Sequence, residues 1–194
     1  MDRIRRWWFL LGAAALVPFL VALADVATRP YVAVADAAKI ELRTRDVWSV
    51  GTPLTGLISR WDWNHPGPAM FWLLSPASVL APDSAWAFRL TYVLLVIGAI
   101  VAALALAWTL GRRVFTVVVV TTLLAALALP PAVYRTPWNP RFPLPLLILL
   151  AVLVARVAWG HTRDVIGVVV VGSVMVQTHV GDRKSTRLNS SHRT

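Results

Sequence analysis

An all-α, polytopic membrane protein is predicted by three properties of this sequence: scarcity of charge, abundance of tryptophan, and recurring apolar runs. Only 14% of its 194 residues are charged, while 58% are hydrophobic. Soluble domains carry about 25% charged residues, so this composition suits lipid as solvent. The ten tryptophans fit the membrane–water boundary, where the ring is buried and its N–H stays wet. Runs of about 20 apolar residues, rising 1.5 Å each, cover the hydrocarbon core of a bilayer.

Five such runs are expected to span. Residues 7–24 follow Arg3, Arg5 and Arg6. Residues 86–110 precede Arg112 and Arg113, and residues 114–133 close on Pro130 and Pro131. Residues 142–159 open with Pro143 and Pro145, which suit a first helical turn because its N–H groups have no intrahelical partner. Residues 165–180 form a short fifth run whose end carries Gln177, Thr178 and His179. Residues 25–85 make one long loop with two expected helices, at 32–45 and 67–80. The apolar stretch 68–80 is too short to span and is predicted to lie on the membrane or dip into it, anchored by Phe71 and Trp72.

Basic residues in short loops orient the spans. The N-terminal arginines, Arg112 with Arg113, and the turn 156–163 belong in the cytoplasm. Loop 25–85, loop 134–141 and the end of the fifth span then fall outside. Arg29, Lys39, Arg43, Arg45, Arg60, Arg135 and Arg141 also lie outside, partly offset by Asp36, Glu41, Asp46 and Asp62. The N-terminus has the pattern of a signal peptide too, with Ala22-Leu23-Ala24 as a cleavage site. An uncleaved anchor is the expectation, since further spans follow; the topology is the same either way.

The absence of cysteine excludes disulfides, thiolate metal sites and cysteine nucleophiles. Net charge is +10, but the basic residues sit in short loops rather than along one face, so nucleic acid is not an expected partner. There is no Gly-rich phosphate loop, nucleophile elbow or nucleotide-binding fingerprint. Residues 182–194 break with all that precedes them: four of the thirteen are Arg or Lys, and the only aliphatic residue is Leu188. The string DRKSTRLNSSH resembles the in-frame translation of a common sequencing adapter. This tail is read as artefactual or disordered, and residues 1–181 as a truncated N-terminal fragment.

The orientation gathers the unusual polar residues on one side: Asp36, Glu41, Asn64, His65, Trp138, Asn139, Gln177 and His179. Asp36 opens an external helix, where it reads as a loop carboxylate or a helix N-cap. Glu41 precedes Arg45 by four residues, the spacing of a helical ion pair. Five positions put Asp36 and Glu41 roughly 140° apart on a helix, so they form no paired-carboxylate site. Asn64 and His65 stand before the rigid turn Pro66-Gly67-Pro68. Trp138 and Asn139, between two prolines, read as a structural turn with an interface anchor. His179 and Gln177, near a helix end, are read either as interfacial groups or as groups facing protein or a water-filled cavity. Arg89, one turn into the second run, is expected to snorkel outward, with a phosphate contact as the alternative reading.

Four segments carry a resemblance: YVAVADAAKIELRTRDVWS at 31–49, WNHPGP at 63–68, WNP at 138–140 and QTHVG at 177–181. Together they resemble membrane glycosyltransferases of the GT-C class, in particular actinobacterial proteins grouped with protein mannosyltransferase-like and lipopolysaccharide sugar-transferase-like enzymes. The likeness covers nearly all of residues 1–181. It implies a polyprenyl-phosphate-linked sugar as donor, a glycan or protein acceptor, a bacterial plasma-membrane location, and chemistry at the outer face. It assigns Asp36 as the base for the acceptor hydroxyl or as a carboxylate associated with a divalent metal ion. Arg60, His65 and His179 are candidates to contact phosphate, and Glu41, Asn64, Asn139 and Gln177 further substrate-binding residues. No HxxxH-type spacing supports a metal site by itself. Two rival classes stand beside this one: a polytopic transporter or lipid flippase, and a non-catalytic cell-envelope protein. The first calls for charged or broken helices near the midplane, which the second to fourth runs lack.

Overall fold

The computed structural model describes residues 2–59, 62–82 and 84–179. Arg60 and the tail 182–194 therefore lie outside the described residues. The fold is all-helical, and no strand forms among the described residues. In order come α1 (Asp2–Thr28), α2 (Ala35–Arg45), α3 (Ala69–Leu74), α4 (Pro76–Leu80), α5 (Ala85–Thr109), α6 (Arg112–Ala128), α7 (Ala132–Arg135), α8 (Pro143–Ala158) and α9 (Val165–Thr178). Short 3-10 turns follow α2 and precede α9.

Local signals explain the boundaries. Ser84 caps α5, its hydroxyl accepting the Ala87 N–H at 3.1 Å. Pro143 occupies the first turn of α8, as its pre-set φ favours. Gly111, at φ +108°, lets the chain reverse between α5 and α6. Helix α1 runs four residues past the predicted span because Asp25 pairs with Arg29 one turn on, at 2.8 Å, and Thr28 bonds back to Ala24.

The central element is α5, which packs against α1, α6, α7, α8 and the short helices α3 and α4. Its buried stripe includes Tyr92, Val96, Ala99, Ile100, Ala103 and Ala107; alanines at four-residue spacing let neighbouring backbones approach. Ala15, Phe19, Ala22 and Val26 form the matching stripe on α1. Two hydrogen bonds fasten one end of the bundle: Trp86 donates to the Val26 carbonyl at 2.8 Å, and Tyr92 to the Val133 carbonyl at 2.6 Å.

Two helices, Trp7–Thr28 and Ala85–Thr109, are long and apolar enough to cross a membrane. Only 22% and 44% of their most apolar windows are buried, whereas the core helix of a soluble protein hides most of its surface. Leu10, Val17, Leu20, Leu94, Val117, Leu124, Ile166 and Val169 continue this exposed apolar girdle over α1, α5, α6 and α9. Helices α6, α8 and α9, with 17, 16 and 14 residues, are shorter than the runs expected at those places.

Above the bundle lie α2, α3 and α4. Phe71, expected as an interfacial anchor, is instead 2% exposed and joins Met70 and Leu74 in the core. Its helix turns that face inward. Trp72 does lie outward, edge-on to Trp48 at 5.2 Å.

Candidate functional site

Asp36 stands in the first turn of α2, two residues past the N-cap position, which Val34 occupies without a side-chain bond. The N-cap reading of Asp36 is thus corrected: the carboxylate does not cap its own helix. It accepts a hydrogen bond from Trp138 Nε1–H at 3.0 Å, and Lys39 lies 3.7 Å from its other oxygen. The preceding residue, Ala35, has φ +51°, a left-handed conformation costing roughly 1 kcal/mol or more for a residue with a Cβ. The Arg141 guanidinium stacks on the Trp138 ring at 4.6 Å. Asp36, Trp138 and Arg141, with Val34, Thr136 and Pro137, line an open cleft of about 290 Å³. A carboxylate at 48% exposure, with an indole donor and flanking cations, has the features of an accessible base.

A second group assembles around His65. Residues 56–59 and 63–65 lie against one another: Gly56 N–H donates to His65 O at 2.9 Å, His65 N–H to Leu57 O at 3.0 Å, and Ser59 N–H to Trp63 O at 2.7 Å. Asp62 takes φ +59° in this turn, a conformation Asp tolerates better than most residues. His65 is 2% exposed, its ring 4.9 Å from Trp63 and 4.9 Å from His179. His179 Nδ1 is buried with no hydrogen-bond partner. Gly67 N–H donates to the Gln177 carbonyl at 3.2 Å, and the Gln177 side chain lies flat over Gly67. The WNHPGP and QTHVG segments are thus clasped together across the sequence.

Lys39 links the two groups. It faces Asp36 on one side and, with Arg43, Asp46, Gly56 and Asn64, lines a 420 Å³ groove on the other. Gly56 in turn backs onto His65, where an added Cβ would stand 2.7 Å from the histidine's own.

Other candidates separate from these groups. Glu41 is 8% exposed and paired with Arg45 at 2.5 Å, the helical ion pair its spacing predicts. It does not line the Asp36 cleft. Asn139 is buried beside Trp138. Gln177 uses its amide to donate to Ser173 at 2.8 Å. No group of three or more His, Asp or Glu that could hold a metal ion forms among the described residues.

One cluster escaped the sequence. Asp25, near the C-terminal end of α1, takes Arg29 at 2.8 Å, Arg135 at 3.2 Å and Arg89 at 3.5 Å. Arg89 therefore does not snorkel; it is 8% exposed, donates through Nε to the Arg135 carbonyl at 2.8 Å and lies over the Tyr31 ring at 4.8 Å. Burial pushes the Tyr31 hydroxyl above its usual pKa, against the opposing influence of Arg89. The Asp25–Arg29 spacing was the available signal.

No protein-family model, curated protein or solved structure matches the chain significantly.

Proposed function

We propose that this chain is the N-terminal part of a GT-C-type membrane glycosyltransferase. It takes a sugar from a polyprenyl-phosphate donor at the outer face of a bacterial plasma membrane and passes it to an envelope acceptor. In this reading α1, α5, α6, α8 and α9 are five spans with the N-terminus in the cytoplasm. The external layer holding Asp36, His65 and His179 faces outward.

The observation that supports it most is the hydrogen bond between Asp36 and Trp138, 102 residues apart in sequence. Two segments that carry the resemblance meet there in an open cleft beside Arg141. Asp36 takes the proton of the acceptor hydroxyl as that oxygen attacks the anomeric carbon. The bond from that carbon to the phosphate oxygen breaks, and the phosphate leaves with the lipid.

Asp36→Asn in the uninterrupted reading frame tests this with labelled polyprenyl-phosphate sugars and isolated membranes. Transfer by the parent and loss of at least about a hundredfold in the variant are expected, the usual scale for removing a general base. Full activity in the variant removes Asp36 from the role. Single cysteines at Ser49, Thr136 and His161, in a chain free of native cysteine, test the topology. A membrane-impermeant maleimide should label the first two from outside and not the third.

A further inference from the structure

We infer that the outer ends of α1, α5 and α7 form a phosphate-binding site made by Arg29, Arg89, Arg135 and Tyr31. None of these four residues lines the Asp36 cleft, and the site does not depend on the transferase reading.

Charge is the first argument. Three guanidiniums share the single carboxylate of Asp25, Arg29 on one oxygen and Arg135 and Arg89 on the other. Glu41, the other acidic group felt by Tyr31, is committed to Arg45. The cluster is left with a surplus of positive charge. The side chains of Asp25 and Arg89 are only 11% and 10% exposed, so water screens the part of that charge carried by Arg89 poorly, while Arg29 and Arg135 reach the surface. A buried cationic excess is stabilised by an anion that brings its own acceptors.

Hydrogen bonding is the second argument. Arg135 Nε and the Tyr31 hydroxyl are buried with no partner among the described residues. Both are donors, and burial keeps the Tyr31 hydroxyl protonated. Unsatisfied donors of this kind are uncommon in folded proteins and call for a missing acceptor. A phosphate oxyanion offers several acceptor oxygens and matches the guanidinium fork. Access is available on one side, since Arg135 is 26% and Arg29 73% exposed. Arg89 is held rigidly by its bonds to Asp25 and the Arg135 carbonyl, so the site needs little rearrangement to receive a ligand.

The phosphate has two possible sources, a lipid headgroup at the membrane surface or a free phosphate. Thermal unfolding of the full 194-residue chain tests both. In one arm, inorganic phosphate is titrated in uncharged detergent against chloride at equal ionic strength. In the other, nanodiscs of phosphatidylcholine are compared with and without phosphatidylglycerol. Arg135→Gln and Tyr31→Phe are measured alongside, the latter removing one oxygen and leaving the ring. Stabilisation by phosphate beyond chloride, or by phosphatidylglycerol, is expected in the wild type. An apparent affinity at least about tenfold weaker is expected in the variants, the scale of one lost bond to a charged partner. A response only to phosphatidylglycerol makes the ligand lipid-borne; a response to inorganic phosphate makes the site accessible to the free ion. No specific stabilisation in either arm, or an undiminished response in both variants, overturns the proposal.

Discussion

Replacing Trp138 by Phe and Asp36 by Ala, singly and together, measures what the bond between α2 and the WNP turn contributes. Phe keeps most of the aromatic face but removes the N–H that donates to Asp36 at 3.0 Å. Ala is preferred to Asn because the Asn carbonyl could still accept. A hydrogen bond to a charged group is worth about 1.5–3 kcal/mol net. Asp36 is 48% exposed, so water replaces part of the lost donor, and the expectation falls to about 1 kcal/mol. The changed stacking of Arg141 on the ring occurs with either residue at position 36, and the weak Lys39 pair is lost in both Asp36 variants. Both contributions cancel to first order in the double-mutant cycle. The assay is reversible unfolding in mild detergent, followed by helical circular dichroism. A coupling within about 0.3 kcal/mol of zero, the scatter of independent sites, would refute the claim that these residues hold one another.

Two further expectations concern packing and titration. Gly67→Ala places a Cβ against Gln177 Oε1 and 2.6 Å from its Cγ; a loss of about 1–3 kcal/mol is expected, largely restored by adding Gln177→Ala, and a neutral Gly67→Ala would refute the close packing of the Gln177 side chain on Gly67. Tyr134, whose hydroxyl donates to the Ala125 carbonyl at 2.7 Å, has its pKa pushed by burial from 10.0 up to about 12. The folded state therefore keeps a proton that the unfolded chain loses first, and the contribution is full below pH 10 and is lost as pH rises through 12. Wild-type melting temperature should fall more steeply than that of Tyr134→Phe across this window, and parallel profiles would contradict the assignment.

Helix ends were readable where a local rule governs them. Pro143 predicts the start of α8 and the run 86–110 falls one residue from α5, because prolines and Ser84 act on adjacent backbone. The extension of α1 was missed because Asp25 and Arg29 look like loop charges until they are counted as helical neighbours. Phe71 was misread for a related reason: hydrophobicity alone does not say which face of a short helix turns inward. The site divides in the same way. Chain alternation placed Asp36, His65, Trp138 and His179 on one side, but Trp138 meeting Asp36 and His179 meeting His65 depend on how α5 and α8 pack. Periodicity within either segment does not encode that. The Glu41–Arg45 pair needed only four residues of context, and it formed as spaced.

The bond from Trp138 to Asp36 also sets an order of events during synthesis. At about 5–20 residues per second, the ribosome needs roughly 5–20 s to travel the 102 residues between them. During that interval the carboxylate waits on a short helix without its indole donor. His65 waits longer for His179, which follows α8 and α9. The surface that carries the candidate residues is therefore finished only after the helices beneath it have been synthesised, so a chain stalled early presents that surface without its long-range contacts.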